Sequence, residues 1–450
     1  MERYKLSKRS SEGRAGLANP YLIREVQLPS GERMPLLVCR STGLPLDAAT
    51  FWLTSERRPL GTQANTLEQE LRHVVLLYLW GDARGIDPLE RMKSPAFLTL
   101  AEINDLDRFC RKRVEQAVAD VDARSGNGRN VVALAARRRR KPTKEPGRMQ
   151  VRNRMASIHS FMDHVSCDHL SRLVPGTEPH RIYQSCRRDM LDRWAARYRS
   201  LDVANGHTPK KGLDQTALER LREVIRPDHP ENPWQPDVQY RNGLMVLTLW
   251  ALGIRRGELL ALETKDIKFA ADRAFVTIVR RPDNPLDTRR PRPAVKTLGR
   301  EIVIDQPLAE LLRGYIMVQR RVHPAARKHP FVFVSSADGM PLSMSSLNKL
   351  FQALRTRVPD LPDDLSPHVM RHSWNDAFSA ASNRANTHRT DIEKTQEERM
   401  RSYLMGWSRN SQMAAKYSAR WTADAANEQS LSLQRSQIIL TGQSPKPAGS

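Results

Sequence analysis

Hydrophobic positions recur along this chain with two different periods. Leu67, Leu71, Val74, Val75, Tyr78 and Leu79 follow one another at three- and four-residue steps from Thr66 onward. That step places them on one face of a helix. A second helix is predicted from Thr99, where Thr99-Leu100-Ala101-Glu102 has capping-box spacing, and is expected to run through Leu106, Phe109 and Val114. A third begins near Met149 and turns Met155, Ile158, Phe161 and Met162 inward. Residues 60–200 therefore read as all-helical. Ahead of them, Tyr21-Leu22-Ile23 and Leu36-Leu37-Val38 predict short strands around the turn Pro29-Ser30-Gly31.

The segment 202–212 carries Gly206, His207, Pro209, Lys210, Lys211 and Gly212, a polar stretch that marks a domain boundary. Beyond it the pattern is mixed. Helices are predicted at 214–225, 238–252, 307–322 and 345–358, and strands at 274–279, 301–304 and 331–334. No internal repeat is evident. The expected organisation is a mixed N-terminal segment (1–61), a helical domain (62–201), a linker (202–212), a mixed domain (213–425) and a polar tail (426–450). In the tail Leu431, Leu433, Ile438, Ile439 and Leu440 form one apolar piece. Residues 1–61 mix apolar strands with few ordered basic stripes, so they are expected to pack on the helical domain.

Length supports the division, since 450 residues exceed one ordinary domain of roughly 150. Hydrophobic residues make up 39 %, enough for cores, which excludes wholesale disorder. Charge changes the picture more. With 73 Lys and Arg against 50 Asp and Glu, the net charge is +23, and such an excess implies a polyanionic partner, most simply nucleic acid. The run Arg137-Arg138-Arg139-Arg140-Lys141 between helices of a basic domain is a candidate DNA-backbone contact, because phosphate contacts need no exact geometry. Four scattered cysteines do not make a disulfide framework and suit a reducing compartment. No apolar run reaches the ~20 residues of a membrane span, and the N-terminus shows no secretory signal. The expectation is a cytoplasmic protein of more than one domain, with no membrane partner.

Three short segments of the mixed domain hold the chemistry. They are Leu252-Gly253-Ile254-Arg255-Arg256-Gly257-Glu258-Leu259, Ser366-Pro367-His368-Val369-Met370-Arg371-His372-Ser373, and Leu404-Met405-Gly406-Trp407-Ser408 with Tyr417 ten residues after Trp407. At these residues the chain resembles the tyrosine recombinase (phage integrase) family. That family carries a Gly-Leu-Arg-x-Gly/Ser-Glu-Leu box, a His-x-x-Arg-His box, and a Leu-Gly-His/Trp box followed by a nucleophilic tyrosine. Phe331-Val332-Phe333 followed by Pro341-Leu342-Ser343 is also similar to the family's strand and helix start before the second box. The resemblance spans about residues 62–425.

Physically the set is coherent. In-line attack on a phosphodiester develops charge on two non-bridging oxygens, which two guanidiniums hold bidentately. Arg255 and Arg371 are the candidates, with Arg256 turned toward DNA or solvent. His368 precedes Arg371 by three residues and shares its helix face. The resemblance implies that Tyr417 is the nucleophile, forming a phosphotyrosyl bond, that His368 bonds phosphate and moves a proton, and that His372 buttresses the structure. Tyr417 lies one residue farther from the third box than the family's usual spacing. Tyr403 is the competing tyrosine, at a position the family packs into a helix. Trp407 stands where the family often has histidine, and its indole donates a hydrogen bond but cannot exchange a proton.

The family takes the proton for the leaving 5′ oxygen from a hairpin lysine. Lys296, just ahead of the strand at 301–304, is the best match, with Lys265 and Lys268 as alternatives. Glu258 is expected to orient Arg255 or a neighbouring helix. A charged insertion is expected near 383–397. The fold class implied is mainly α with a small β component: a helical core-binding domain plus a mixed α/β catalytic domain closing as a C-shaped clamp on DNA. The resemblance further implies double-stranded recombination sites, a homotetramer on two of them, accessory recombinase or DNA-bending partners, and work in a bacterial cytoplasm at the nucleoid. No cofactor is expected: His164, Cys167 and His169 lack a fourth ligand at zinc-like spacing, and no phosphate-binding Gly-x-x-x-x-Gly-Lys-Ser/Thr loop occurs. A telomere resolvase, a type IB topoisomerase-like breaker and a non-cleaving DNA-binding regulator stay open as alternatives.

Overall fold

The computed structural model describes residues 18–124, 145–202, 211–270, 273–384, 391–408, 411, 413 and 414. The Arg137–Lys141 run, Tyr417 and the tail from 426 lie outside the described residues. The chain divides into two compact units, 1–205 and 206–450. Among the described residues it is mainly helical, with two small antiparallel sheets.

The first unit opens with a hairpin, β1 (Tyr21–Gln27) and β2 (Arg33–Cys39), paired from Tyr21↔Cys39 to Gln27↔Arg33. The connection turns at Gly31, φ +85°, a backbone glycine adopts freely. After α1 (Asp47–Trp52) comes α2 (Ala64–Arg84), whose middle is apolar all round: Val74 through Trp80 are buried without a break. A helix of that kind must be surrounded. β2 and the later helices surround it, and Met34, Leu37 and Trp52 share its core.

The helix α3 (Pro88–Met92) is capped by Asp87, which accepts from Leu89 N and Glu90 N. The capping box at Thr99 starts α4 (Leu100–Cys110), with Thr99 and Glu102 bonding each other's backbone. The expected continuation through Val114 does not occur: α5 (Val114–Arg124) is a separate helix. Buried Arg154, from α6 (Arg148–Ser171), donates to the Cys110 carbonyl at 2.8 Å and the Lys112 carbonyl at 2.7 Å. Those carbonyls are satisfied by a guanidinium instead of a further helical turn. A long helix, α7 (Glu178–Arg199), packs on α6 and completes the unit.

In the second unit α8 (Gln215–Val224) precedes α9 (Pro236–Leu252), which runs through the core with Leu244, Met245, Val246, Leu249 and Leu252 buried. The short α10 (Arg256–Ala261) leads into a meander of β3 (Ile267–Phe269), β4 (Ala274–Ile278) and β5 (Arg300–Ile304), in that spatial order. Beyond the sheet, α11 (Gln306–Gly314) ends early. The helix expected over 307–322 widens at Tyr315–Gln319 into a π turn and closes as a 3₁₀ turn at Arg320–Val322. The Tyr240 hydroxyl donates to the Leu311 carbonyl at this point, 3.0 Å away.

The strand expected at 331–334 is absent as a ladder and makes single bridges only, Glu263↔Phe331 and Val334↔Pro341. Side chains take its end groups, with Arg320 donating to the Phe331 carbonyl, Arg241 to the Val334 carbonyl and Val334 N to the Tyr315 hydroxyl, while Val332 N donates to the Leu262 carbonyl and Leu342 N to the Phe333 carbonyl. The helices α12 (Met344–Arg357), α13 (Pro367–Arg384) and α14 (Asp391–Met405) finish the described fold. Part of the segment read as a charged insertion thus belongs to α14, where Glu397 pairs with buried Arg401. The start of the unit is tied to α13 as well. Gly212 N donates to Asp376 at 2.7 Å and Leu213 N to Ser373 at 2.9 Å.

Candidate active site

The first box sits where α9 stops. Gly253 ends the helix at φ +59°, and a Cβ there would lie 2.8 Å from the Trp374 ring and from Met405 Cε. The chain then runs extended through Arg255, the residue before α10, whose N–H donates to Glu258 Oε2 at 2.9 Å. Glu258 thus reaches back one helical turn to fix the Arg255 backbone, as the sequence suggested. The Arg255 side chain is 34 % exposed, with Nη1 3.7 Å from Glu258 Oε1. Arg256 is exposed and its Nη1 donates to Asn348 at 3.2 Å.

The second box forms the first turns of α13. Arg371 is buried and links all three segments: Nη1 donates to the Gly253 carbonyl at 2.7 Å and Nη2 to the Met405 carbonyl at 3.0 Å. Its guanidinium also lies 5.7 Å from the Trp407 ring centroid. His368 is exposed on the same helix, its ring 4.4 Å from that of His372 and nearly perpendicular to it.

The third box follows α14. Gly406 takes φ +63° and Trp407 is buried. Tyr403 is not packed as expected. It is 57 % exposed, and its hydroxyl donates to the Glu301 carbonyl at 3.3 Å.

Lys296 is exposed between buried Val295 and buried Thr297. Its segment joins the boxes. The Thr297 hydroxyl donates to Glu258 Oε1, and Leu298 N donates to the Gly406 carbonyl at 3.0 Å. Of the alternatives, Lys265 is committed to Glu263 at 2.9 Å, and Lys268 lies exposed on β3.

Arg300 is the residue the motifs do not announce. Its buried guanidinium donates to Glu258 Oε2 at 3.0 Å, to the Thr297 hydroxyl at 3.2 Å and, through Nε, to the Leu404 carbonyl at 2.6 Å. The signal was present in the alternation of Arg300-Glu301-Ile302-Val303-Ile304, which puts Arg300 on the core face with the two isoleucines. Burial alone would raise the Glu258 pKa. The charge and hydrogen bonds of Arg300, with the Thr297 hydroxyl and Arg255 N–H, reverse this and hold it below the usual carboxylate value. It stays an anion and serves as an acceptor.

Two of the three residues set aside as metal ligands make ordinary contacts. His164 pairs with Glu56 at 3.0 Å and His169 lies against the Tyr183 ring.

Residues 213–419 match the phage integrase family. That segment is similar to the tyrosine-type site-specific recombinases of the family. Comparison with curated protein sequences found no match. Among solved structures, the chain is similar to the XerH site-specific recombinase bound to difH substrate in a pre-cleavage complex (16 % identity over 60 % of this chain and 78 % of that one, TM-score 0.35). It is also similar to the Tn1549 transposon integrase in complex with transposon right end DNA (15 % identity, 86 % and 100 %, TM-score 0.45). A third similar structure is the XerA recombinase (13 % identity, 83 % and 92 %, TM-score 0.31). Among the described residues no helix is long and apolar enough to cross a membrane.

Proposed function

We propose that this chain is the recombinase or integrase of a mobile element, cutting and rejoining DNA at specific sites through a covalent 3′-phosphotyrosyl intermediate. The observation that carries the reading is Arg371, which binds the carbonyls of Gly253 and Met405 and so gathers the three boxes at one place. Arg255 and Arg371 hold the non-bridging oxygens of the scissile phosphate. The Tyr417 oxygen attacks phosphorus and its proton passes to His368. The bond from phosphorus to the 5′ oxygen breaks, and Lys296 supplies the proton that oxygen takes up. Trp407 donates a hydrogen bond to phosphate. Rejoining is the same step with an incoming 5′ hydroxyl, so the phosphodiester energy is conserved in the tyrosyl ester.

The wider reading assigns residues 62–201 to the helical core-type DNA-binding domain, 202–212 to the linker and 213–425 to catalysis. Arg137, Arg138, Arg139, Arg140, Lys141 and Arg256 contact DNA. Four protomers act on two DNA sites, the tail from 426 docks on a neighbour, and accessory recombinase or DNA-bending proteins assist. The place of work is the bacterial cytoplasm.

The test is covalent capture. A randomised pool of nicked duplexes is incubated with the chain in chelator, and DNA bound after denaturation is recovered and sequenced. A recurring sequence in the adducts, lost with Tyr417→Phe and kept with Tyr403→Phe, is expected. Adducts on every sequence alike, with relaxation of any supercoiled plasmid, would point to a topoisomerase-like breaker. Binding without adduct would make the chain a regulator.

A further inference from the structure

Lys296 can donate a proton only if its backbone is fixed relative to Arg255, and within the boxes only Glu258, through Thr297, and the Gly406 carbonyl, through Leu298 N, touch its segment. The structure supplies a further candidate. Val295 and Thr297 point inward and Lys296 outward, the alternation of extended chain. Thr297, Arg300 and Glu258 form one buried network: the Thr297 hydroxyl and the Arg300 guanidinium converge on the Glu258 carboxylate, whose other bond is to Arg255 N. The Nε of Arg300 reaches the Leu404 carbonyl, three residues before Trp407. Space for this is made by Gly406, where a Cβ would fall 2.6 Å from Arg300 Nη1 and 2.8 Å from Thr297 Cβ. One guanidinium thus touches the helix behind Arg255, the residue after Lys296 and the turn before Trp407.

A buried ion pair is a poor device for stability alone, because the desolvation of both ions offsets most of their attraction. What a planar, five-donor guanidinium adds over apolar packing is direction. We infer that Arg300 is a positioning residue for the cleavage step, holding the Lys296 segment in register with Arg255 and Trp407. It touches no substrate. The inference rests on the reading of Lys296 as proton donor.

Arg300→Lys and Arg300→Gln test it, on the duplex recovered in the capture selection. Lysine keeps the charge but cannot span three partners. Misplacing a catalytic group by about 1 Å costs on the order of 100-fold in rate, and both variants should lose about that much cleavage on the ordinary substrate. Duplex affinity should stay within about twofold, since Arg300 is not a phosphate contact. The decisive arm replaces the scissile 5′ oxygen by sulfur, whose thiolate leaves without a proton. On that duplex both variants should recover to within about threefold of the parent, because the general-acid contribution is no longer needed. Lys296→Ala should recover in the same way.

Equal loss on both substrates, whether from misfolding or a disordered site, overturns the role of Arg300. So does a parental rate on the oxygen substrate. Recovery of Lys296→Ala without recovery of the Arg300 variants rejects Arg300 alone. Failure of Lys296→Ala to recover rejects Lys296 as the donor, and the Arg300 inference with it.

Discussion

Glu258→Gln is the substitution whose cost can be worked most fully from the structure. The carboxylate accepts from Arg255 N at 2.9 Å, from Arg300 Nη2 at 3.0 Å and from the Thr297 hydroxyl, and it is 1 % exposed. The two oxygens face donors on both sides. An amide can turn its oxygen to only one side, and its NH₂ then meets the donors on the other. Arg300 is left as a buried cation without its counter-charge, a change that costs roughly 3–5 kcal/mol. For a unit of this size each kcal/mol lowers the melting temperature by about 2–4 °C, so a fall on the order of 6–20 °C is expected. The pH dependence has a definite sign. The Glu258 pKa is lowered in the folded chain, so its contribution is complete above the unfolded value and is lost as pH falls through the depressed folded one. The gap between parent and variant should therefore be full at pH 7 and close in strong acid. Calorimetry of the full chain, with hydrogen exchange at β5 to identify the transition of the second unit, measures both. Melting temperatures within about 2 °C of each other at pH 7 would refute the idea that this carboxylate holds the network together.

Other outcomes follow from the same structure. Gly253→Ala combines the left-handed backbone cost of about 1–2 kcal/mol with crowding against Trp374 and Met405 of about 1–3 kcal/mol. It also shifts the carbonyl that Arg371 uses, so melting temperature and adduct yield should fall together. His73 in α2 is held down to about 4, first by burial and then by Arg154 and Arg72. The unfolded chain binds that proton more readily, so stability is full above about pH 6.5 and falls by on the order of 3 kcal/mol as the pH approaches 4. His73→Gln should flatten that acid limb in denaturant titrations, and an unchanged limb would exclude His73 as its source. Duplex binding should fall steeply with salt, with a slope of log K against log salt steeper than roughly −5 for a chain of net charge +23. A flat titration would count against extensive phosphate contact.

The elements set by local signals were legible in the sequence. The period of α2, the capping box at Thr99 and the glycine turn between β1 and β2 each depend on residues within a few positions of one another. The losses came from side chains arriving from far along the chain. The break after Cys110 depends on Arg154, and the failure of 331–334 to extend as a strand depends on Arg241, Tyr315 and Arg320. The site divides in the same way. Arg255, His368, Arg371 and Trp407 stand in ordered boxes, whereas the Glu258–Arg300 pair spans 42 positions and the contact with Leu404 spans 104. An arginine in a basic chain reads as a solvated surface charge, and only its alternation with Ile302 and Ile304 marked it as an inward-facing one. The three-residue strand β3 was too short for its period to register.

The claim at the centre is a bond between DNA and one tyrosine. Trapping the chain on the selected nicked duplex in chelator, digesting the adduct and sequencing the DNA-linked peptide by mass spectrometry identifies that residue. A single linked peptide carrying the 3′-phosphotyrosyl group on Tyr417 is the expected result. A linked peptide containing Tyr403 instead, or cleavage that leaves no protein on the DNA and returns only with magnesium, would contradict it.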